Sequence, residues 1–271
     1  MVARSRSAPG GADLARYYDL DLLDDPGDVD MYLALAAAHD GPVLELASGS
    51  GRICVALAAA GHDVTGVDRD PDMLGRARAA WQRLQDGDRG VVAGGSLELI
   101  ERDIDGLRLK RRFSLVILAF DTLLVLGDRA AQQAALEVMA RHLAPGGRAL
   151  IDVWLPSPDD LALYDGRAVL DWVRRDRETD EWVAKTSSAR YNSATQTATV
   201  TTFFDVWRPD ATLRRTMRVD GIRFIAVSEL ALLAECAGLA VDVLAQDYQM
   251  TPLSDDGERL VLVARAQRQP G

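Results

Sequence analysis

Short apolar runs alternate with helically spaced apolar positions through the middle of the chain. The runs at residues 43–46, 64–68, 97–102, 115–119 and 149–153 are rich in Val, Leu and Ile, which predicts strands. Between them, residues 52–60, 71–84 and 130–142 carry the i, i+3, i+4 spacing of amphipathic helices. Pro71 after Asp70 marks a helix start, and Ala144-Pro145-Gly146-Gly147 marks a stop. Strand–helix–strand repetition, with runs apolar on both faces, predicts a doubly wound α/β fold around a mostly parallel sheet. Two helices precede it, at residues 13–23 and 29–38, with Asp28 as the expected N-cap of the second. Residues 84–97 hold Gly87, Gly90, Gly94 and Gly95 and read as a loop. Beyond Trp154 the pattern changes. Residues 155–227 are rich in Thr, Val, Arg and aromatics, as in Trp172-Val173-Arg174, Trp182-Val183-Ala184 and Thr199–Phe203, which predicts an antiparallel β insertion with one exposed face. Helical spacing returns at a Ser228 cap and ends at Gly238, and two strands follow at 239–244 and 260–264. The expected division is a flexible tail at 1–12, an α/β domain of 13–154 plus 228–266, and the insertion at 155–227.

Composition narrows the class. The 271 residues are 48% hydrophobic and 27% charged, ordinary for a globular protein, which sets aside disorder, collagen and a disulfide scaffold. The net charge of −10 repels a phosphate backbone, so no nucleic-acid partner is expected. Cys54 and Cys236 match no zinc or redox spacing, so a reduced, cytoplasmic chain without a metal is expected. No apolar stretch follows the basic start MVARSRSAPG, and the longest apolar run, 115–126, is short and contains Asp121. Neither a signal peptide nor a membrane span is expected. The exposed strands of 155–227 are able to pair between subunits, which makes a homodimer a possible assembly.

Chemistry gathers at the predicted strand ends. The first strand runs through Glu45 into Ala47-Ser48-Gly49-Ser50-Gly51-Arg52 and a helix, a turn whose glycines admit close approach of a ligand to backbone N–H groups. A dinucleotide fingerprint wants a third glycine where Cys54 stands, which counts against a nicotinamide cofactor. Glu45, inside an apolar strand, needs a partner: either a cationic ligand group or a buried basic or backbone donor. Asp68 ends the second strand, placed for the hydroxyls of a ribose or as a cap for the following helix. Asp103 ends the third, placed for an exocyclic amine such as adenine's or as a turn residue before Asp105-Gly106. Together the three acids point to a ligand with amino, ribose and adenine parts.

The series VLELASGSGR, VTGVDRDPDML, LIERDI, FSLVILAFDTLL and HLAPGGRALIDVW resembles the class I S-adenosylmethionine-dependent methyltransferases, from Val43 to Trp154 and again from Ser228 through Ala264. The resemblance implies a Rossmann-like, seven-stranded sheet and S-adenosyl-L-methionine as cofactor. Gly49 and Gly51, with neighbouring Arg52, would then wrap its methionine end, and Glu45 and the Ala47 backbone would face its amino group. Asp68 with neighbouring Arg69 would meet the ribose, Asp103 and the Ile104 amide the adenine, and Met73 either the adenine face or the core. Ala119 and Phe120 would line the adenosine and methyl-donor region. Ser114 stands where Asp is commoner in the family. More narrowly, Tyr17-Tyr18-Asp19 and the insertion resemble small-molecule N-methyltransferases of the aminosugar or glycine/sarcosine type, in which the first helix and the insert close over the substrate.

Transfer to a small-molecule acceptor is therefore expected, nitrogen favoured over oxygen. Asp121, directly after the fourth strand, is the catalytic candidate: it binds and orients an amine or takes its proton, or else it is a turn residue. Tyr17 and Tyr18 are candidates for contacting cofactor carboxylate or substrate, Tyr18 as a catalytic group, with at least one of the two expected in the core. His39 and His142 fall at helix ends, where they would cap carbonyls, and His62 falls on the edge away from the cofactor. Arg174-Arg175 and Arg214-Arg215 read as the solvated face of strands. The alternatives are a nicotinamide-dependent oxidoreductase and a binding module that keeps the fold without turnover.

Overall fold

A computed structural model describes residues 11–87, 94–209 and 212–267. In chain order the elements begin with α1 (Gly11–Asp21), α2 (Val29–Ala37), β1 (Val43–Leu46), α3 (Arg52–Ala59), β2 (Asp63–Asp68), α4 (Pro71–Asp86), β3 (Ser96–Glu101) and β4 (Phe113–Leu118). They continue with α5 (Thr122–Val125), α6 (Arg129–His142), β5 (Leu143–Trp154) and α7 (Pro158–Ala162). The insertion supplies β6 (Asp165–Asp176), β7 (Glu181–Asn192), β8 (Thr197–Trp207) and β9 (Arg214–Arg223), and the chain closes with α8 (Val227–Cys236), β10 (Leu239–Ala245) and β11 (Arg259–Ala266).

The apolar runs pair into one seven-stranded sheet of order β10-β11-β5-β4-β1-β2-β3. β1 is buried at all four positions because it runs parallel between β2 and β4 with helices over both faces. Only β11 runs antiparallel, against both β5 and β10. The strand order reverses at β1, so the loops after β1, β2 and β3 leave one way and those after β4 and β5 the other, opening a crevice at the carboxyl edge. Beneath it lies the main core, which includes Val43, Leu57, Val64, Leu115, Ile117 and Leu150.

Local chemistry explains most boundaries. The Asp70 carboxylate accepts the Asp72 and Met73 N–H groups with Pro71 in the first turn, the start signal read from the sequence. Asp28 corrects the expectation: it stands at the N-cap position of α2 but makes no capping bond, because its carboxylate is taken by Arg52. Ser228 is likewise no cap, since α8 starts at Val227 after Ala226. The segment Ala144–Gly147 stops α6 but already belongs to β5, and the β4–β5 register shifts between Phe113 and Leu115 as it enters. β9 and the single turn α5 carry no periodicity long enough to announce them. Residues 1–10 of the expected tail and 88–93 of the expected loop lie outside the described residues; Gly11 already opens α1, and α4 extends to Asp86.

The chain divides into two compact units, one of residues 25–123, 129–155 and 225–271, the other of 1–24, 124–128 and 156–224. The second holds the antiparallel sheet β6-β7-β8-β9. α1 therefore groups with the insertion rather than with the parallel sheet. Its Tyr17 and Leu20 are buried against Val183, Phe204 and Val206, which face one side of the insert sheet and would otherwise be exposed. Among the described residues no helix is long and apolar enough to cross a membrane.

Candidate functional site

From the end of β1 the chain turns through Ala47 (φ +54°), Gly49 (φ +54°) and Gly51 (φ +90°) into α3. A Cβ on Gly51 would come within 2.8 Å of the Ala77 Cβ and 2.9 Å of a Val55 methyl, so glycine lets α3 and α4 meet beneath the turn. At Gly49 a Cβ would meet nothing within 4 Å, so that side of the turn is open. Glu45 is 3% exposed below it. The partner is Cys54, whose thiol donates to the carboxylate, while Oε2 has none among the described residues. Burial pushes the Glu45 pKa up to about 8, against the pull of the Arg52 charge. A dry carboxylate with an unused oxygen is costly unless a cation completes it.

Asp68, at the end of β2, accepts the Gly49 N–H through Oδ2 and the Asp70 N–H through Oδ1, both at 2.8 Å. Each oxygen keeps a lone pair for a further donor. Burial raises its pKa, with the two amide bonds opposing. Asp103, two residues past β3, accepts the Asp105 N–H at 2.9 Å and has Arg69 at 3.7 Å. Ile104 is buried beside it, and Met73 is half-buried in the first turn of α4. Glu45, Asp68 and Asp103 thus stand at the same end of three adjacent strands. The orphaned Glu45 oxygen fits an ammonium group, the Asp68 lone pairs fit two ribose hydroxyls, and the exposed Asp103 fits an exocyclic amine. This donor set suits S-adenosylmethionine.

Across the crevice, a second polar cluster holds the ends of β4 and β5. Phe120 (φ +48°) and Asp121 (φ +61°) are consecutive non-glycine residues in the left-handed region, a sparsely populated conformation for such side chains. The fully buried Asp152 of β5 secures them: Oδ1 accepts the Phe120 N–H at 2.7 Å and the Tyr32 hydroxyl, and Oδ2 accepts Arg259 at 3.1 Å and the Tyr248 hydroxyl at 3.4 Å. The Asp121 N–H donates to the Asp152 carbonyl at 3.2 Å, and the Asp121 carboxylate accepts the Trp154 N–H and, at 3.2–3.3 Å, the Arg259 guanidinium. Burial pushes the Asp152 pKa up to about 6 and raises that of Asp121, with the Arg259 charge opposing in both. The Phe120 ring has the Arg52 guanidinium 5.0 Å and the Arg259 guanidinium 5.8 Å from its centroid. Arg52 is itself fixed by a two-point ion pair with the fully buried Asp28.

Asp121 is therefore built into its turn, as the plainer sequence reading has it, although its side chain stays 31% exposed. Sequence reasoning missed Asp152, Tyr32, Tyr248 and Arg259. Asp152 had a signal, an acid inside the apolar run Ala149–Val153, the same anomaly that singled out Glu45. The others converge on it from α2, from the loop after β10 and from β11, which no local pattern foretells. Tyr17 is a correction: its ring, 1% exposed and stacked on Phe204 at 4.7 Å, is core of the insert unit and has no face for a cofactor. Tyr18 is half-buried in the same unit. His39 and His142 hydrogen-bond the carbonyls of Leu35 and Val138 four residues back, at 2.8 and 2.7 Å. Ser114 donates to the Pro42 carbonyl at 3.0 Å and so ties β4 to the loop before β1. Arg174, Arg175, Arg214 and Arg215 pair with Asp24, Asp180, Glu181 and Asp205. Among the described residues, no three His, Cys, Asp or Glu side chains are grouped to hold a metal.

A methyltransferase-domain family model matches residues 43–147. The dTDP-3-amino-3,4,6-trideoxy-α-D-glucopyranose N,N-dimethyltransferase of Streptomyces venezuelae is 30% identical over 203 residues, 74% of this chain and 76% of that protein. The cypemycin N-terminal methyltransferase of a Streptomyces species is 29% identical over 231 residues, 83% of each. In fold, the chain is similar to the CcbJ methyltransferase from Streptomyces caelestis, with a TM-score of 0.71 at 23% identity over 91% of this chain and 98% of that one. It is also similar to an S-adenosylmethionine-dependent methyltransferase from Clostridium acetobutylicum, with a TM-score of 0.74 at 16% identity over 94% of this chain and 98% of that one.

Proposed function

The chain belongs to the class I S-adenosylmethionine-dependent methyltransferases, and within that family we propose that it methylates the nitrogen of a small-molecule amine. One observation carries the cofactor reading: the unpartnered Glu45 oxygen beneath an open glycine turn, in line with Asp68 and Asp103. In this reading Glu45 and the Ala47 carbonyl hold the ammonium, Gly49, Gly51 and Arg52 the methionine end, and Asp68, with Arg69 at the rim, the ribose. Asp103, the Ile104 amide and Met73 hold the adenine, and Ala119 and Phe120 line the donor region. Bound there, S-adenosylmethionine supplies a methyl group made electrophilic by its sulfonium. The protein's task is then chiefly orientation.

Nitrogen is favoured because a hydroxyl acceptor needs a stronger base than a carboxylate paired with Arg259, and the histidines are used elsewhere: His39 and His142 bond helix carbonyls, and His62 lies in the turn before β2, at the opposite edge. Two curated relatives support it, one named an N,N-dimethyltransferase of a dTDP-amino sugar and the other an N-terminal methyltransferase, while a third, matching 43% of this chain, is named a C-methyltransferase. Asp121 accepts a hydrogen bond from the incoming amine and takes up its proton, and Tyr18 remains a candidate contact for the acceptor. The nicotinamide alternative finds no support: Cys54 occupies the third-glycine position with its thiol on Glu45. Two free thiols suit a reducing cytoplasm. A second copy of the chain is the proposed partner of the insert's outer face, where Leu170, Val173, Met217 and Val219 lie exposed among ion pairs of both signs, an arrangement that complements itself about a two-fold axis.

The test offers radiolabelled S-adenosylmethionine with amine acceptors, dTDP-3-amino-3,4,6-trideoxyglucose and a peptide amino terminus, beside their hydroxyl counterparts. Label in an amine supports the proposal. Label only in hydroxyl compounds overturns the choice of nitrogen, and S-adenosylhomocysteine binding without transfer to any acceptor favours the module.

A further inference from the structure

We propose that Asp152 is the positioning residue of the acceptor edge: from a buried site that touches no ligand, it sets the backbone of Phe120 and Asp121 in the conformation that presents them to the incoming amine. The inference rests on the methyltransferase reading, and its geometry stands apart from it. Two adjacent non-glycine residues with φ of +48° and +61° do not hold that shape unaided. At this bend the support is a closed circuit. The Asp152 side chain takes the Phe120 N–H, the Asp152 carbonyl takes the Asp121 N–H, and the Asp121 carboxylate takes the Trp154 N–H two residues beyond Asp152. The ends of β4 and β5 are thereby locked to one another through three bonds, of which the Phe120 bond needs the Asp152 carboxylate, the Trp154 bond needs that of Asp121, and the third joins backbone to backbone.

Asp152 is in turn held from three other elements. Tyr32 reaches it from α2, Tyr248 from the loop after β10, and Arg259 from the start of β11. The charged and titratable groups facing it are thus Arg259, Asp121, Tyr32 and Tyr248, with Asp28 behind Tyr32. Tyr32 adds a connection. It lies four residues after Asp28, on the same face of α2, and Asp28 holds Arg52 at the first position of α3, next to the glycine turn. One helix face therefore grips the cofactor turn with one residue and the acceptor bend with the next. A carboxylate with four donors and no solvent exposure has no coordination left for a ligand, which separates its role from that of Asp121.

Asp152→Asn keeps the volume but replaces one acceptor oxygen by a donor facing either Phe120 N–H and Tyr32 or Arg259 and Tyr248. Tyr32→Phe is the milder companion, removing one hydroxyl. Three quantities are read on the full chain: affinity for S-adenosylhomocysteine by calorimetry, exchange of the Phe120 and Asp121 amides by hydrogen–deuterium mass spectrometry, and kcat with the dTDP-aminosugar probe. The proposal expects exchange at the two amides to accelerate at least about 10-fold in Asp152→Asn and less in Tyr32→Phe, kcat to fall at least about 30-fold in the former, and S-adenosylhomocysteine affinity to stay within about 3-fold in both. Unchanged exchange overturns it, and so does a loss of S-adenosylhomocysteine affinity that matches the loss of kcat. If Asp152→Asn does not fold, Tyr32→Phe decides by the same criteria. Failure of the wild-type chain to methylate the probe counts against the acceptor reading alone; accelerated exchange with intact S-adenosylhomocysteine affinity then still supports the positioning role, and unchanged exchange still overturns it.

Discussion

Glu45 concentrates the chemistry of the proposed cofactor side in one carboxyl group. Burial raises its pKa to about 8 from the usual carboxylate value near 4.5, so the ligand-free protein carries it largely protonated at neutral pH. The sign follows from linkage: a folded pKa above the unfolded one gives stability present below about pH 4.5 and lost as pH rises through about 8. Glu45→Gln should therefore flatten the fall in melting temperature between those limits, read by differential scanning calorimetry of the ligand-free chain. The same variant should weaken S-adenosylhomocysteine binding roughly 10- to 100-fold, the worth of one hydrogen bond to a charged group. An apolar strand interrupted by an acid was readable without coordinates, and so were Asp68 and Asp103 at their strand ends. Tyr17 was misread because an aromatic on an amphipathic helix looks the same whether it lines a ligand or a core, and only the position of Phe204 distinguishes the two.

At the scale of elements, the joints decide how well the crevice is held. Gly51→Ala asks a left-handed residue to carry a Cβ that meets Ala77 and Val55 at under 3 Å, which pries α4 from α3. A loss of about 1–3 kcal/mol is expected in urea unfolding. At the other end of the sheet, His142 finishes α6 as a neutral ring. Its Nε2 accepts the Leu109 N–H at 2.9 Å, which leaves Nδ1 to donate to the Val138 carbonyl. Burial lowers its pKa, so the stability it contributes is present above about pH 6.5 and is lost as pH falls below that value. His142→Gln, compared with the wild type by thermal melting from pH 8 to pH 5, should reduce that acid-side fall. Helix starts and stops were readable because proline and glycine act locally. The failures at Asp28 and Ser228 have a common reason: capping propensity is local, but the carboxylate of Asp28 found a stronger, charged partner in Arg52, and α8 began one residue before its expected cap.

For the molecule as a whole, the insert sheet is the piece with an unsettled surface. Its inner face is filled by Tyr17 and Leu20, while the outer face leaves Leu170 and Met217 each 60% exposed. Light scattering should return twice the 29.4 kDa chain mass, and paired Leu170→Glu and Met217→Glu substitutions should return a single chain with S-adenosylhomocysteine affinity unchanged. A mass of one chain for the wild type removes the second copy as occupant of that face.

Period, punctuation and misplaced charge were enough to determine the α/β class, the strands of the seven-stranded sheet, the glycine turn and the three acids near their strand ends, because each depends on residues within one strand and its following loop. Which helix the insertion claims, what Asp28 binds, and how Tyr32, Tyr248 and Arg259 meet at Asp152 were decided only in three dimensions. Those partners lie 96 to 120 residues from it along the chain. Their hydrogen bonds form because sheet order and a shared dry interior leave a buried carboxylate no water to turn to.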